Sequence, residues 1–278
     1  GVVLVDGVFI ITGTGESEYI SVSNYRRDFG VFVYSYDTGQ STWDTFRKSD
    51  VTSVVINAAG GNDFVNLNRF ARPSTIDLGD GDDWAYGGQK NDDISGGDGD
   101  DVIYSFNGDD TVDAGAGDDY VRGGNGDDVL RGGNGENGLF GENGNDILIG
   151  GDDADHLDGG NGRDIVIGGA GSDWLAAGNG DDIVIGGSTI YDNDISALDA
   201  IMSEWTARSR YSNRVATIQT GGGSLNGVKL EAGTTVLDDG ATDYLFGNRG
   251  KDWFFGKTDG DGRDQVFSRF NEVVDALP

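Results

Sequence analysis

The 278-residue chain has no cysteine, one histidine, one methionine and two prolines. Without cysteine it has neither disulfides nor thiolate metal sites. With His156 as the sole histidine, the zinc-protease pattern H-E-x-x-H is impossible, and the G-x-S-x-G elbow of serine hydrolases is also absent. Basic residues are scarce: 19 Lys and Arg stand against 49 Asp and Glu, a net charge of −30. Such a surface repels nucleic acid and anionic membrane, so neither is an expected partner. No apolar run reaches the roughly 18 residues that span a bilayer, so membrane insertion is not expected. The chain begins at Gly1 and not at Met, which predicts a processed form or an excised segment.

What the chain has in excess is glycine, 50 residues of it, together with acid. Low hydrophobicity with high charge ordinarily predicts disorder. Five Trp, ten Tyr and thirteen Phe, with a strictly periodic aliphatic position, oppose that reading. Both facts fit a chain that folds once its charge is cancelled, and divalent cations are the natural agents.

The period is nine residues and runs through twelve copies from Leu78 to Ile185 without a slip, from LGDGDDWAY (78–86) to AGNGDDIVI (177–185). Position six is Asp83, Asp92, Asp101, Asp110, Asp119, Asp128, Asn137, Asp146, Asp155, Asp164, Asp173 and Asp182. Position eight is aliphatic in every copy, from Ala85 and Ile94 to Leu175 and Val184. Position four is Gly except at Lys90 and Asp153. Outside the array, 58–66 supplies Asp63 and Val65 in the same slots, 238–255 supplies Asp243 and Asp252, and the partial copy 262–266 supplies Asp264. Residues 13–23 resemble a degenerate copy, with Glu18 at position six and Ile20 at position eight.

Around the array, 1–57 reads as a β cap made of a degenerate first rung and a hairpin through Asp37-Thr38-Gly39. Residues 58–187 form the repetitive body, and 188–224 change character. There Ile195, Leu198, Ile201, Met202 and Trp205 fall at helical spacing behind Asn193 or Asp194. A second helix carries Tyr211, Val215 and Ile218 and stops at Gly221-Gly222-Gly223, and residues 225–278 return to the β pattern. The expected fold is therefore all-β: a right-handed parallel β-roll, or β-helix solenoid, with an N-terminal β cap and a small α-helical insertion near 193–220.

In each copy, positions seven to nine form the strand, with eight inward and seven and nine outward. Positions one to six turn the chain, with glycine at two and four allowing positive φ. One aliphatic side chain per nine residues contributes roughly 2–3 kcal/mol, against about 1–2 kcal/mol of backbone entropy for each residue. The Asp rows repel one another as well. Hard Ca²⁺, which takes 6–8 carboxylate and carbonyl oxygens, converts those rows into bonds; Mg²⁺ fits less well because it resists dehydration.

The copies GGNGDDVLR (123–131), GGDGDDVIY (96–104) and GGNGRDIVI (159–167) resemble the nonapeptide of the repeats-in-toxin (RTX) family. The segment 188–255 is similar to the C-terminal region of large bacterial surface-associated RTX proteins. The resemblance implies a β-roll holding Ca²⁺ between successive turns on each edge, with ligands from the position-six carboxylates and turn carbonyls, in a protein secreted into calcium-rich medium. Alternate turns share an edge, so Asp83, Asp101, Asp119, Asn137, Asp155 and Asp173 lie along one. Asp92, Asp110, Asp128, Asp146, Asp164 and Asp182 lie along the other. Asp63, Asp243, Asp252 and Asp264 extend the ligand set, and about ten ions fit the regular array. Asn137 lacks a charge and Asp153 stands at a glycine position, so binding is expected to be weaker around 119–155. Position-five residues such as Asp100, Asp109 and Asp127 are expected to face solvent.

Catalysis is not expected. A glycosidase requires two carboxylates in unlike environments, and here they are all alike. His156 occupies an outward seventh position, and the G-x-G-x-x-G matches are by-products of the repeat. The expected function is an extracellular or cell-surface calcium module with a structural or adhesive role. The alternatives are a self-associating subunit of a calcium-dependent layer or filament and, with less support, a calcium-dependent carbohydrate binder.

Overall fold

Apolar residues that recur every nine positions share one core only if the chain reverses after each copy, which brings alternate copies side by side. The computed structural model, which describes residues 1–257, 263–267 and 273–276, folds in this way. The chain forms two compact units, Gly1–Gly138 and Leu139–Pro278. Each has two sheets whose repeat strands pair in parallel, the arrangement of a β-roll.

In the first unit one sheet runs Val2–Val5, Val8–Thr12, Ser53–Asn57, Ser74–Asp80, Asp92–Asp98, Thr111–Ala116, Val129–Asn134. The other runs Ser41–Arg47, Asp28–Ser35, Glu18–Asn24, Phe64–Asn66, Trp84–Tyr86, Val102–Asn107, Tyr120–Asn125. Position eight pairs with position eight two copies on, Ile94 with Val112 and Ile103 with Val121. These side chains are fully buried. Several strands outlast positions seven to nine, because the main chain of the next copy still finds a partner eighteen residues away, as Asn107 does opposite Asn125.

At the N-terminal end the register jumps. Ile20 pairs with Val65, and the intervening chain folds back as the antiparallel hairpin Asp28–Ser35 and Ser41–Arg47. The hairpin turns Phe29 into a cluster with Phe9 and Phe70, at ring distances of 6.3 and 4.9 Å. Apolar bulk thus closes the end of the core that the periodic aliphatics leave open.

In the second unit, Ile147–Gly151, Ile165–Gly169, Ile183–Ile185, Trp253–Gly256 and Val273–Ala276 form one sheet. His156–Asp158, Trp174–Ala176, Tyr244–Phe246 and Gln265–Phe267 follow one another in the other. Val184 pairs with Phe254 and Leu175 with Leu245, so the register resumes in place after the insertion. The insertion carries helix α1 (Ile195–Trp205) and helix α2 (Tyr211–Thr220). The Asp194 carboxylate caps α1 by accepting from the Ala197 N–H, and Gly221 ends α2 with φ +63°.

Positions seven and nine point away from the core, but in one sheet of the second unit they are not exposed. Ile165, Ile167, Ile183, Ile185, Trp253 and Phe255 are all buried, and Trp253 lies 6.1 Å from the Trp205 ring of α1. The aliphatic triplets IVI at 165–167 and 183–185, beside polar flanks such as Asp93 and Ser95 elsewhere, are the sequence signal of a covered face. His156 is exposed, between Phe140 and Trp174.

The glycine requirement is sharpest at position four. Gly126 has φ +130°, and a Cβ on it would stand 1.7 Å from the Gly108 carbonyl oxygen of the neighbouring turn. Asp153, at the same position, keeps a left-handed φ of +68°, so the turn retains its path and carries strain instead. Gly126→Ala is expected to destabilise the folded unit by at least about 2 kcal/mol, from left-handed strain plus overpacking. Denaturant unfolding in calcium measures it, and a change below about 0.5 kcal/mol would contradict the close stacking.

Candidate metal centre

A turn that ends at position six, just before the next strand, places that residue at the edge of the roll, where its side chain can fold inward beneath the turn. All sixteen residues singled out at this position lie there, none more than 6% exposed. Within each unit they form columns. In the first unit the columns are Asp63, Asp83, Asp101, Asp119, Asn137 and Asp92, Asp110, Asp128. In the second they are Asp146, Asp164, Asp182, Asp252 and Asp155, Asp173, Asp243, Asp264. The sequence order predicts the alternation; the structure adds that Asp243, Asp264 and Asp252 continue the same columns after the insertion.

One bond repeats down each column. Within a column, Oδ1 of one position-six side chain accepts the backbone N–H of the position-six residue in the preceding turn: Asp83 donates to Asp101 at 2.8 Å, Asp110 to Asp128 at 2.8 Å and Asp164 to Asp182 at 2.9 Å. The second oxygen is different. In Asp63, Asp83, Asp101, Asp110, Asp119, Asp173, Asp182 and Asp243 the Oδ2 is buried and accepts no hydrogen bond. Such a charge is costly to bury without compensation.

That oxygen sits over the position-one residue of its own copy. A Cβ on Gly96 would stand 2.3 Å from Asp101 Oδ2 and 2.2 Å from the Ala114 carbonyl oxygen. One on Gly168 would meet Asp173 Oδ2 at 2.2 Å and the Gly186 carbonyl at 2.5 Å. At these glycines a carboxylate and a carbonyl of the next rung converge on the space that a Cβ would take. The sequence reading missed the role of position one, although the run Gly87, Gly96, Ser105, Ala114, Gly123 carries the signal.

Burial drives the electrostatics. Desolvation pushes the carboxyls of Asp83 and Asp119 up to about 6, those of Asp101, Asp110 and Asp173 to about 7, and those of Asp63 and Asp243 to about 8. Backbone hydrogen bonds from the preceding rung pull the other way, more weakly. Asp182 is raised as well, by burial first and then by the carboxylates of Asp164 and Asp252.

Three members depart from the pattern. Asp92 has both oxygens occupied, Oδ1 by the N–H and hydroxyl of Ser74 and Oδ2 by the Gly88 N–H. The irregular stretch around Pro73, not a repeat turn, precedes it in the column. Asp264 Oδ2 accepts from the Lys257 N–H at 2.6 Å. Asn137 accepts from Asp119 through Oδ1 at 3.0 Å, but its amide donates to the Gly135 carbonyl, presenting a donor where neighbours present a carboxylate oxygen. Glu18 heads the first column. It donates its N–H to Asp63, while its carboxylate is closed by Thr14. The position-five residues Asp100, Asp109 and Asp127 are exposed. The carboxylates of Asp100 and Asp109 accept N–H groups of the next turn in an outer ladder.

Among the described residues no three acidic or imidazole side chains gather into a cage. Each rung supplies one carboxylate, so a cation between two rungs would take two and draw the rest of its 6–8 oxygens from turn carbonyls. The buried oxygens and the convergent carbonyls are a donor set suited to a hard divalent cation.

These acid constants make protons and calcium competitors. A carboxyl raised in the folded state adds stability that is complete below about 3.8, its unfolded value, and is lost as pH rises through the folded value of about 6 to 8. In chelator, whatever β signal remains is therefore expected to fall from pH 5 to pH 8, as read by circular dichroism. The calcium concentration for half-saturation is expected to move the opposite way, rising as pH drops from 8 to 6. A calcium midpoint independent of pH over that window would rule the buried carboxylates out as ligands.

Comparison with known proteins adds one finding. The family model for the RTX calcium-binding nonapeptide repeat (4 copies) matches residues 77–105, 104–139, 137–166, 158–189 and 235–266, together just over half of the chain. No curated protein matches it. The last stretch lies beyond the helical insertion, where Asp243, Asp252 and Asp264 rejoin the columns. The chain belongs to the RTX calcium-binding nonapeptide repeat family.

Proposed function

We propose that this protein is an extracellular, non-catalytic module whose β-roll folds when calcium fills the gaps between successive turns, and whose role is structural or adhesive. The observation that carries the reading is the column of buried carboxylates, each with one oxygen fixed by the neighbouring rung and, in Asp63, Asp83, Asp101, Asp110, Asp119, Asp173, Asp182 and Asp243, the other accepting no hydrogen bond. Ions between rungs join those oxygens to turn carbonyls and neutralise the repulsion that otherwise opposes stacking. The ligands are the position-six residues, with Asp92 and Asp264 contributing less because their second oxygens are occupied. About ten ions serve the regular array. The Asp119–Asn137 gap binds more weakly than its neighbours.

Far-ultraviolet circular dichroism tests the reading. In chelator the array is expected to be largely disordered, gaining β signal as calcium rises through about 0.1–1 mM, the range of extracellular modules. An unchanged spectrum in chelator would defeat calcium-dependent folding. The same titration on Asn137→Asp is expected to show at least one more tightly held ion; fewer ions would sink the weak-gap assignment.

A second reading, calcium-dependent self-association, is supported by the strand Ser41–Arg47. It ends its sheet, pairs only with Asp28–Ser35 among the described strands, and leaves Trp43 49% exposed. An unprotected edge of this length is a template for another strand. Light scattering with and without calcium separates the readings: growth in mass on adding calcium favours assembly, and a constant monomer mass removes it.

A further inference from the structure

The nonapeptide explains the roll but not the helical pair inserted into it. In the regular array, partners in a column are eighteen residues apart, as Asp164 and Asp182 are. Across the insertion, Asp182 meets Asp252, and Asp173 meets Asp243, at a separation of 70. A flexible loop about four times longer closes roughly eightfold less often, since closure probability falls as the 3/2 power of length. Unless the insertion is held in place, these two gaps form less readily than the others.

The helices supply the hold, and they apply it next to one of those gaps. The Trp205 indole N–H donates to the main-chain carbonyl of Asp181 at 2.6 Å, and the Tyr211 hydroxyl donates to the carbonyl of Asp252 at 2.9 Å. Arg214, 1% exposed, pairs through Nη2 with the Asp181 carboxylate at 2.5 Å and through Nη1 with the Trp205 carbonyl at 2.7 Å. Its guanidinium lies 4.6 Å from the Trp205 ring centroid. Asp181 also accepts the Lys251 N–H at 3.0 Å, which ties turn 178–182 to the turn bearing Asp252. Arg214 thus joins both helices to the residue immediately before Asp182. A buried, permanently charged guanidinium strongly favours the one arrangement that pairs it.

We propose that Arg214, with helices α1 and α2, is a positioning device for calcium at the Asp182–Asp252 gap. Docking of the helices raises the affinity of that gap, and calcium there stabilises the docked helices. The coupling is reciprocal because both events select the same arrangement of Asp181, Asp182 and Asp252. This rests on the reading of the position-six columns as calcium ligands.

Hydrogen exchange of the amides in 195–220 tests it on the full chain, in saturating calcium and in chelator, for the wild type, Asp252→Asn and Asp110→Asn. Calcium is expected to slow exchange in the helices at least tenfold in the wild type and in Asp110→Asn, which alters a gap in the other unit. In Asp252→Asn most of that slowing is expected to vanish while the first unit remains protected. Equal slowing in the wild type and Asp252→Asn overturns the proposal. So does an equal loss in Asp110→Asn, which would mean that the helices merely follow global folding. Calorimetric titration of Arg214→Met is expected to show one class of ion weakened about tenfold and the remainder unchanged; a wild-type isotherm overturns the proposal. If Arg214→Met does not fold, the Asp252→Asn comparison decides alone. A wild type that binds calcium throughout, with helical exchange indifferent to it, defeats the positioning role only; one that binds none defeats the column reading as well.

Discussion

Everything in this protein depends on a carboxylate that is buried before it is neutralised. Within a column a position-six Asp gives one oxygen to the N–H of the preceding rung, and that bond keeps successive turns in register, as from Asp83 to Asp101 and from Asp164 to Asp182. The carboxylate so held lies beneath the turn and out of water, and that burial raises its pKa and places like charges one above another. The turn is well ordered geometrically and unfavourable electrostatically. A divalent cation held between rungs, as proposed, would reverse the sign of the second effect without disturbing the first.

The rest of the repeat follows from that demand. Glycine at position four is needed because the neighbouring turn's carbonyl occupies the space of a Cβ, as at Gly126. Glycine at position one, as at Gly96 and Gly168, leaves room where the inward carboxylate oxygen and a carbonyl meet. Position eight holds the thin core, fully buried from Ala85 to Phe254. Where the core alone is insufficient, bulk is added from outside the repeat: the phenylalanine cluster at the N-terminal end, and Trp205 over the outer face of one sheet in the second unit.

The unequal members of the columns show how sequence context alters one chemistry. Asp92 has the same residue type and burial as Asp110, yet Ser74 and Gly88 occupy its oxygens because no repeat turn precedes it. Asn137 keeps the register bond and loses the charge. Asp182 and Asp252 keep both but depend on a long closure, which the helices make local again. A column of identical Asp residues in the sequence is therefore a set of carboxylates in different environments.

The sequence by itself determined the β-roll, the inward aliphatic row, the Asp columns and the hard-cation chemistry, because all four are periodic and a strict period survives without knowledge of distant contacts. Even Asp243, Asp252 and Asp264 were legible, through the motif that recurs after the helices. Only the tertiary structure decided which oxygens are already used, what converges on Gly96 and Gly168, and that Ile165, Ile167, Ile183 and Ile185 on an outward face are buried. These depend on residues eighteen, 70 or more positions away meeting in space, and no local pattern encodes which neighbour will arrive. The role of Arg214 is the clearest case. In sequence it is one basic residue in a short helix, and only the fold sets it against Asp181, where its charge needs a partner.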